Sequence, residues 1–79
     1  MKINVKLFSM LRQCVPDYDP ESGVDIALAS QATVADLIRH LNIPEDRKPV
    51  VTWNGRILKA DDKLSDGIVV QIFQPVAGG

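Results

Sequence analysis

From Lys2 to Phe8 the chain alternates strictly, with Ile3, Val5 and Leu7 on one side and Lys2, Asn4 and Lys6 on the other. A period of two is that of a half-buried strand, and a polar outer side is the habit of antiparallel sheets. Met10, Leu11 and Cys14 then stand at i, i+1 and i+4. That spacing predicts a short helical segment over 9–15, capped by Ser9 and stopped before Pro16. Asp17 to Gly23 is polar and punctuated by Pro20 and Gly23, so it reads as a surface loop. Val24, Ile26 and Leu28 restore the alternation and predict a second strand.

After Ala32 the period becomes helical. Val34, Leu37, Ile38 and Leu41 stand at i, i+3, i+4 and i+7, one apolar stripe on a helix running from Val34 to Leu41. Thr33 is the expected N-cap, with Asp36 in the place of a capping-box acid, and Pro44 closes the segment. Asn54-Gly55 between Val50–Trp53 and Arg56–Leu58 predicts a two-residue type I′ hairpin, because both central residues need positive φ. Asp66-Gly67 turns the chain into a last strand, Ile68 to Phe73. A helix of this length covers one face of a sheet, giving two layers. If Val70 and Ile72 face the helix, then Val69, Gln71 and Phe73 face outward, and Phe73 is expected to be exposed.

Composition narrows what such a domain does. Seventy-nine residues make one small domain. A single cysteine, Cys14, cannot form an internal disulfide, and no His/Cys cluster offers a structural zinc site. The hydrophobic share of 46% therefore has to supply an ordinary core. Net charge is -1 with Lys and Arg scattered along the chain, so nucleic acid is not an expected partner. No apolar run reaches membrane-span length, and the N-terminal alternation is not that of a signal peptide. A free thiol without an export signal points to the cytoplasm.

The chemistry is expected at the other end. The globular part is assigned to 1–74 and a tail to 75–79, Pro75-Val76-Ala77-Gly78-Gly79. Six residues follow Phe73, so in extended form the last carboxylate stands about 20 Å off the body. Glycine lets another backbone approach closely, which suits a narrow slot in a partner. Two readings are open: the α-carboxylate of Gly79 is the working group, or this is an ordinary frayed terminus.

The stretches Val5–Arg12, Thr33–Leu37, Asn54-Gly55, Leu64–Gly67 and Phe73–Gly79 occur in an order that resembles the ubiquitin-like sulfur carriers. That family holds the small subunit of molybdopterin synthase and the carrier of the thiamine pathway. The resemblance covers nearly the whole chain. It implies an α+β single-domain β-grasp fold, a mixed sheet of four to five strands on one main helix.

It also implies that an adenylating, ubiquitin-activating-like enzyme uses ATP and Mg to activate Gly79. The activated carboxyl becomes a thiocarboxylate, which then gives up its sulfur. Gly78, Ala77, Val76 and Pro75 would lie in the partner's active site, and Phe73, Arg12 and Phe8 would meet the partner surface. Further partners implied are a sulfurtransferase or cysteine desulfurase and a sulfur acceptor such as the large subunit of molybdopterin synthase. The carrier is not itself an enzyme and binds no cofactor. The Phe8–Arg12 segment is similar to the molybdopterin branch, although Gln74 stands where that branch usually has the first of two prolines. Thiamine synthesis, tRNA thiolation and ubiquitin-like conjugation remain the alternatives.

Three residues invite other roles and have simpler ones. Cys14 is expected to be a small buried hydrophobe, His40 an exposed residue near the helix end, and Trp53 a core residue in phase with Val51.

Overall fold

The structure, a computed structural model, describes residues 1–75. Its strands are β1 (Lys2–Leu7), β2 (Val24–Ala27), β3 (Val50–Trp53), β4 (Arg56–Leu58) and β5 (Val69–Phe73), with helix α1 at Val34–His40. They form one sheet in the order β2-β1-β5-β3-β4. The segments Ser9–Cys14 and Glu45–Arg47 are short 3₁₀ helices.

Alternation along β1 and β5 builds the core. Ile3, Val5, Val70 and Ile72 are wholly inaccessible, and Leu37 of α1 meets them from the helix layer. β1 pairs antiparallel with β2 but parallel with β5, so the antiparallel setting expected for β1 holds on one side only. Alternation reports which face is buried and carries no information on which way a neighbour runs.

Thr33 caps α1 through a complete capping box. Its Oγ1 accepts from the Asp36 N–H at 3.3 Å, and Asp36 Oδ2 accepts from the Thr33 N–H at 2.9 Å. The helix ends at His40, one residue before the expected Leu41. Leu41 is still buried, as the apolar stripe requires.

Asn54 (φ 52°) and Gly55 (φ 76°) both take the left-handed conformation of the hairpin turn. The turn fixes the register Trp53↔Arg56, Thr52↔Ile57 and Val51↔Leu58. Gly23 is required for a different reason: a Cβ there would lie 2.6 Å from the Val5 carbonyl oxygen.

The segment after β1 differs from the expectation in one respect. Ser9 does not cap it; Phe8 occupies the N-cap position without any side-chain hydrogen bond, and Ser9 lies inside at φ 55°. The stop before Pro16 is as expected, with Val15 in extended conformation.

Candidate functional site

β5 is the central strand, paired with β1 on one side and β3 on the other, so the chain leaves it firmly held. Its inner side chains are sealed into the core, and its outer ones form the middle of an open sheet face. Registers Leu7↔Ile72 and Val50↔Phe73 carry Phe8, Phe73 and Val50 into one row across that face. The next row is Lys6, Gln71, Thr52 and Ile57, joined in its middle by Thr52 Oγ1 donating to Gln71 Oε1 at 3.0 Å. Val69 and Ile57 on this face are 44% and 73% exposed, and Phe8 is 40% exposed.

Phe73 is half-buried, less open than the parity of β5 led one to expect. Parity gives the face, while the cross-strand neighbours in the same row decide how much of a ring stays in water. It remains at the edge from which Pro75, exposed, leads away. The expected tail residues Val76, Ala77, Gly78 and Gly79 lie outside the described residues.

Arg12 is exposed and borders the same end of the sheet. Its Nε donates to the Leu7 carbonyl at 3.1 Å, while the Leu7 N–H donates to the Tyr18 hydroxyl at 2.7 Å. β2 starts at Val24, opposite Val5, so it stops short of Leu7. Two side chains thus satisfy the backbone of Leu7 where the strand ladder ends. That arrangement positions Arg12 beside the Phe8 row. Nothing in the residue pattern signals the Tyr18 contact. Ile57, by contrast, was accessible to reasoning, because a two-residue turn sets it opposite Thr52.

The other singled-out residues take no part in this face. Cys14 is a free, half-buried thiol packed against the core, His40 is exposed, and Trp53 is half-buried rather than enclosed. A recess of about 330 Å³ opens on the helix side, lined by Val34, Ile38, Ile43, Val51 and Leu58 with Arg39 and Glu45 among its polar neighbours. Among the described residues no group of three or more His, Cys, Asp and Glu stands together as metal ligands would.

Two carboxyls lie below their ordinary range, Asp36 at the start of α1 and Asp19 in the loop before β2. The backbone N–H of Thr33 and then its hydroxyl lower Asp36, and the N–H of Glu21 followed by the Ser22 hydroxyl lower Asp19. These are structural hydrogen bonds to the charged form. No helix of the described residues is long and apolar enough to cross a membrane.

A family model, the ThiS family, matches residues 5–79. Among solved structures, a putative molybdopterin converting factor subunit 1 from Pyrococcus furiosus is 31% identical, with TM-score 0.72, covering 95% of this chain and 98% of its own. SAMP1 from Haloferax volcanii is 22% identical over 100% of both chains, with TM-score 0.71. Caldiarchaeum subterraneum ubiquitin is 22% identical, with TM-score 0.61, covering 100% of this chain and 98% of its own. The ubiquitin-like β-grasp fold is common to them. A search of curated proteins finds no significant match.

Proposed function

Because the chain belongs to the ThiS family, and so to the ubiquitin-like sulfur carriers and modifiers, we propose that it works through the terminal carboxylate of Gly79. The observation that carries this reading is the extent of the family match, which runs through Gly78 and Gly79 to the last residue.

An α-carboxyl with a pKa of about 3.3–3.7 is an anion at neutral pH and resists nucleophiles. Transfer of AMP from ATP, with Mg on the partner enzyme, releases pyrophosphate and leaves a mixed anhydride at Gly79. The terminal sulfur of a persulfide carried by a sulfurtransferase or cysteine desulfurase then displaces AMP to give an acyl disulfide. A second thiol on the partner cleaves its S–S bond, releasing the thiocarboxylate and leaving a disulfide behind. The chain contributes position rather than chemistry. Phe8, Phe73 and Arg12 dock the sheet end on the partner, and Pro75 to Gly78 enter its active site.

The reading extends to one pathway. The 31% identity to a putative molybdopterin converting factor subunit supports a role as the sulfur-donating small subunit of molybdopterin synthase, and the free thiol of Cys14 fits a cytoplasmic setting. The Phe8–Arg12 segment supports the same branch.

Intact mass spectrometry of the protein from its own cells tests the proposal. Replacement of one oxygen by sulfur is expected on the peptide that ends in Gly79. Localisation to that peptide matters, because addition of oxygen to the exposed Met10 gives nearly the same mass change. Gly79 found joined to lysines of other proteins, with no thiocarboxylate, would move the assignment to a modifier. Loss of thiamine or thiolated tRNA, rather than molybdopterin, on removal of the chain would reassign the pathway.

A further inference from the structure

The hairpin tip that closes β3 on β4 combines a conformational need with a chemical weakness. An Asn-Gly bond ages when the glycine amide nitrogen attacks the asparagine side-chain carbonyl. A C–N bond forms, ammonia leaves, and water then opens the cyclic imide at either carbonyl. The products are aspartate or isoaspartate, with no oxidant or reductant involved. The reaction needs an accessible carboxamide, a following amide free of other hydrogen bonds, and no side chain crowding that amide.

The chain holds three asparagines and one Asp-Gly pair that could follow the same route. Asn4 donates from Nδ2 to the Ser22 carbonyl at 3.0 Å and to Asp25 Oδ1 at 2.9 Å, and a buried β-branched residue, Val5, follows it. Asn42 precedes Ile43, whose N–H is held by the Ile38 carbonyl at 3.2 Å. Asp66 accepts from the Lys2 N–H at 2.7 Å, and the N–H of Gly67 donates to the Lys2 carbonyl at 2.8 Å, so both reacting groups are occupied.

Asn54-Gly55 has none of these protections. Both residues are exposed, neither the Asn54 carboxamide nor the Gly55 N–H makes a hydrogen bond among the described residues, and beyond its two chain neighbours nothing lies within 4 Å of a Cβ built on Gly55.

We infer that Asn54-Gly55 is a site of spontaneous deamidation in the folded protein, and that its isoaspartate product opens the β3–β4 hairpin. Aspartate at position 54 still closes a two-residue turn. Isoaspartate carries the main chain through its side-chain carbon, adding one backbone atom to a turn whose register leaves no room for it. The pair Trp53↔Arg56 then separates, and Leu58 loses its place opposite Val51. This inference stands apart from the proposed function.

The test is incubation of the whole protein at mildly alkaline pH, folded and in denaturant, followed by tryptic mapping. The peptide Lys48–Arg56 contains Asn54, since cleavage stops before Pro49. That peptide is expected to gain the mass difference between OH and NH2 in the folded protein, at a rate within about a hundredfold of the denatured chain. A reaction requiring global unfolding would be slower by the folding equilibrium constant, on the order of 10³ or more.

Part of the product is expected to accept a methyl group from S-adenosylmethionine through an isoaspartyl methyltransferase. The aged protein is expected to melt lower than an equally aged Asn54→Gly variant, which closes the same turn without a carboxamide. Slowing by more than about a hundredfold on folding overturns the site. Product that is all aspartate, or an aged protein that melts no lower than Asn54→Gly, overturns the opened hairpin.

Discussion

The two sides of β5 do opposite work within five residues. Val70 and Ile72 are wholly enclosed between sheet and helix, whereas Val69 and Phe73 share the open face with Phe8 and Ile57. One side holds the fold, and the other stays open to solvent. A strand repeats every two residues, so neighbours in sequence serve ends that mutation can separate.

The widest separation is predicted at Ile72. Ile72→Ala leaves a cavity in the centre of the core and should lower stability by about 2–5 kcal/mol, read as a fallen denaturation midpoint. An unchanged midpoint would mean that β5 is not the centre of the core.

On the open face the effect should move to binding. Phe8→Ala is expected to weaken partner association by about 2 kcal/mol, as an interface anchor does, with little change in melting. Titration calorimetry with the activating enzyme reads it. Phe73→Ala should show a comparable binding loss together with a modest loss of stability, because its ring is half-buried. Full stability loss without binding loss would place Phe73 with the core.

The division between the two sides was legible in the residues because alternation in β1 and β5 is uninterrupted. The Asn54-Gly55 turn fixed the hairpin, and the Thr33/Asp36 pair marked the helix start. Less could be read where geometry depends on distant parts of the chain. The parallel pairing of β1 with β5 follows from the crossover through α1 and the hairpin, which the alternation in β1 does not encode. Tyr18 meets Leu7 across a loop with no periodicity. Phe73 stands in the expected row, opposite Val50, but is half-buried rather than exposed. Of the candidate site, Phe8 and Phe73 fall in one row of the open face, and Arg12 is tied to the same end of β1 through the Leu7 carbonyl.

Smaller effects should leave both sides of β5 intact. Thr33→Ala removes one arm of the capping box and is expected to cost about 1 kcal/mol, visible in urea melts with binding unchanged. A loss of binding on this substitution would show that α1 supports the docking face.

The smallest effect is in acid. Asp36 and Asp19 have folded pKa values below the ordinary 3.8, so their stabilisation is complete above that pH. It is lost as pH falls below 3.8 through the folded values. The melting midpoint should decline in that range, and less so in Asp36→Asn. An equal decline in the variant would remove Asp36 from the account.

The proposed function requires that the globular body present Gly79 and that the carboxylate itself be what the partner activates. ATP–pyrophosphate exchange by an adenylating enzyme from the same cells, driven by the intact chain and by a chain lacking Gly79, tests this most directly. The account predicts exchange with the intact chain and none with the shortened one, both melting at the same temperature. Equal exchange with the two chains would contradict it.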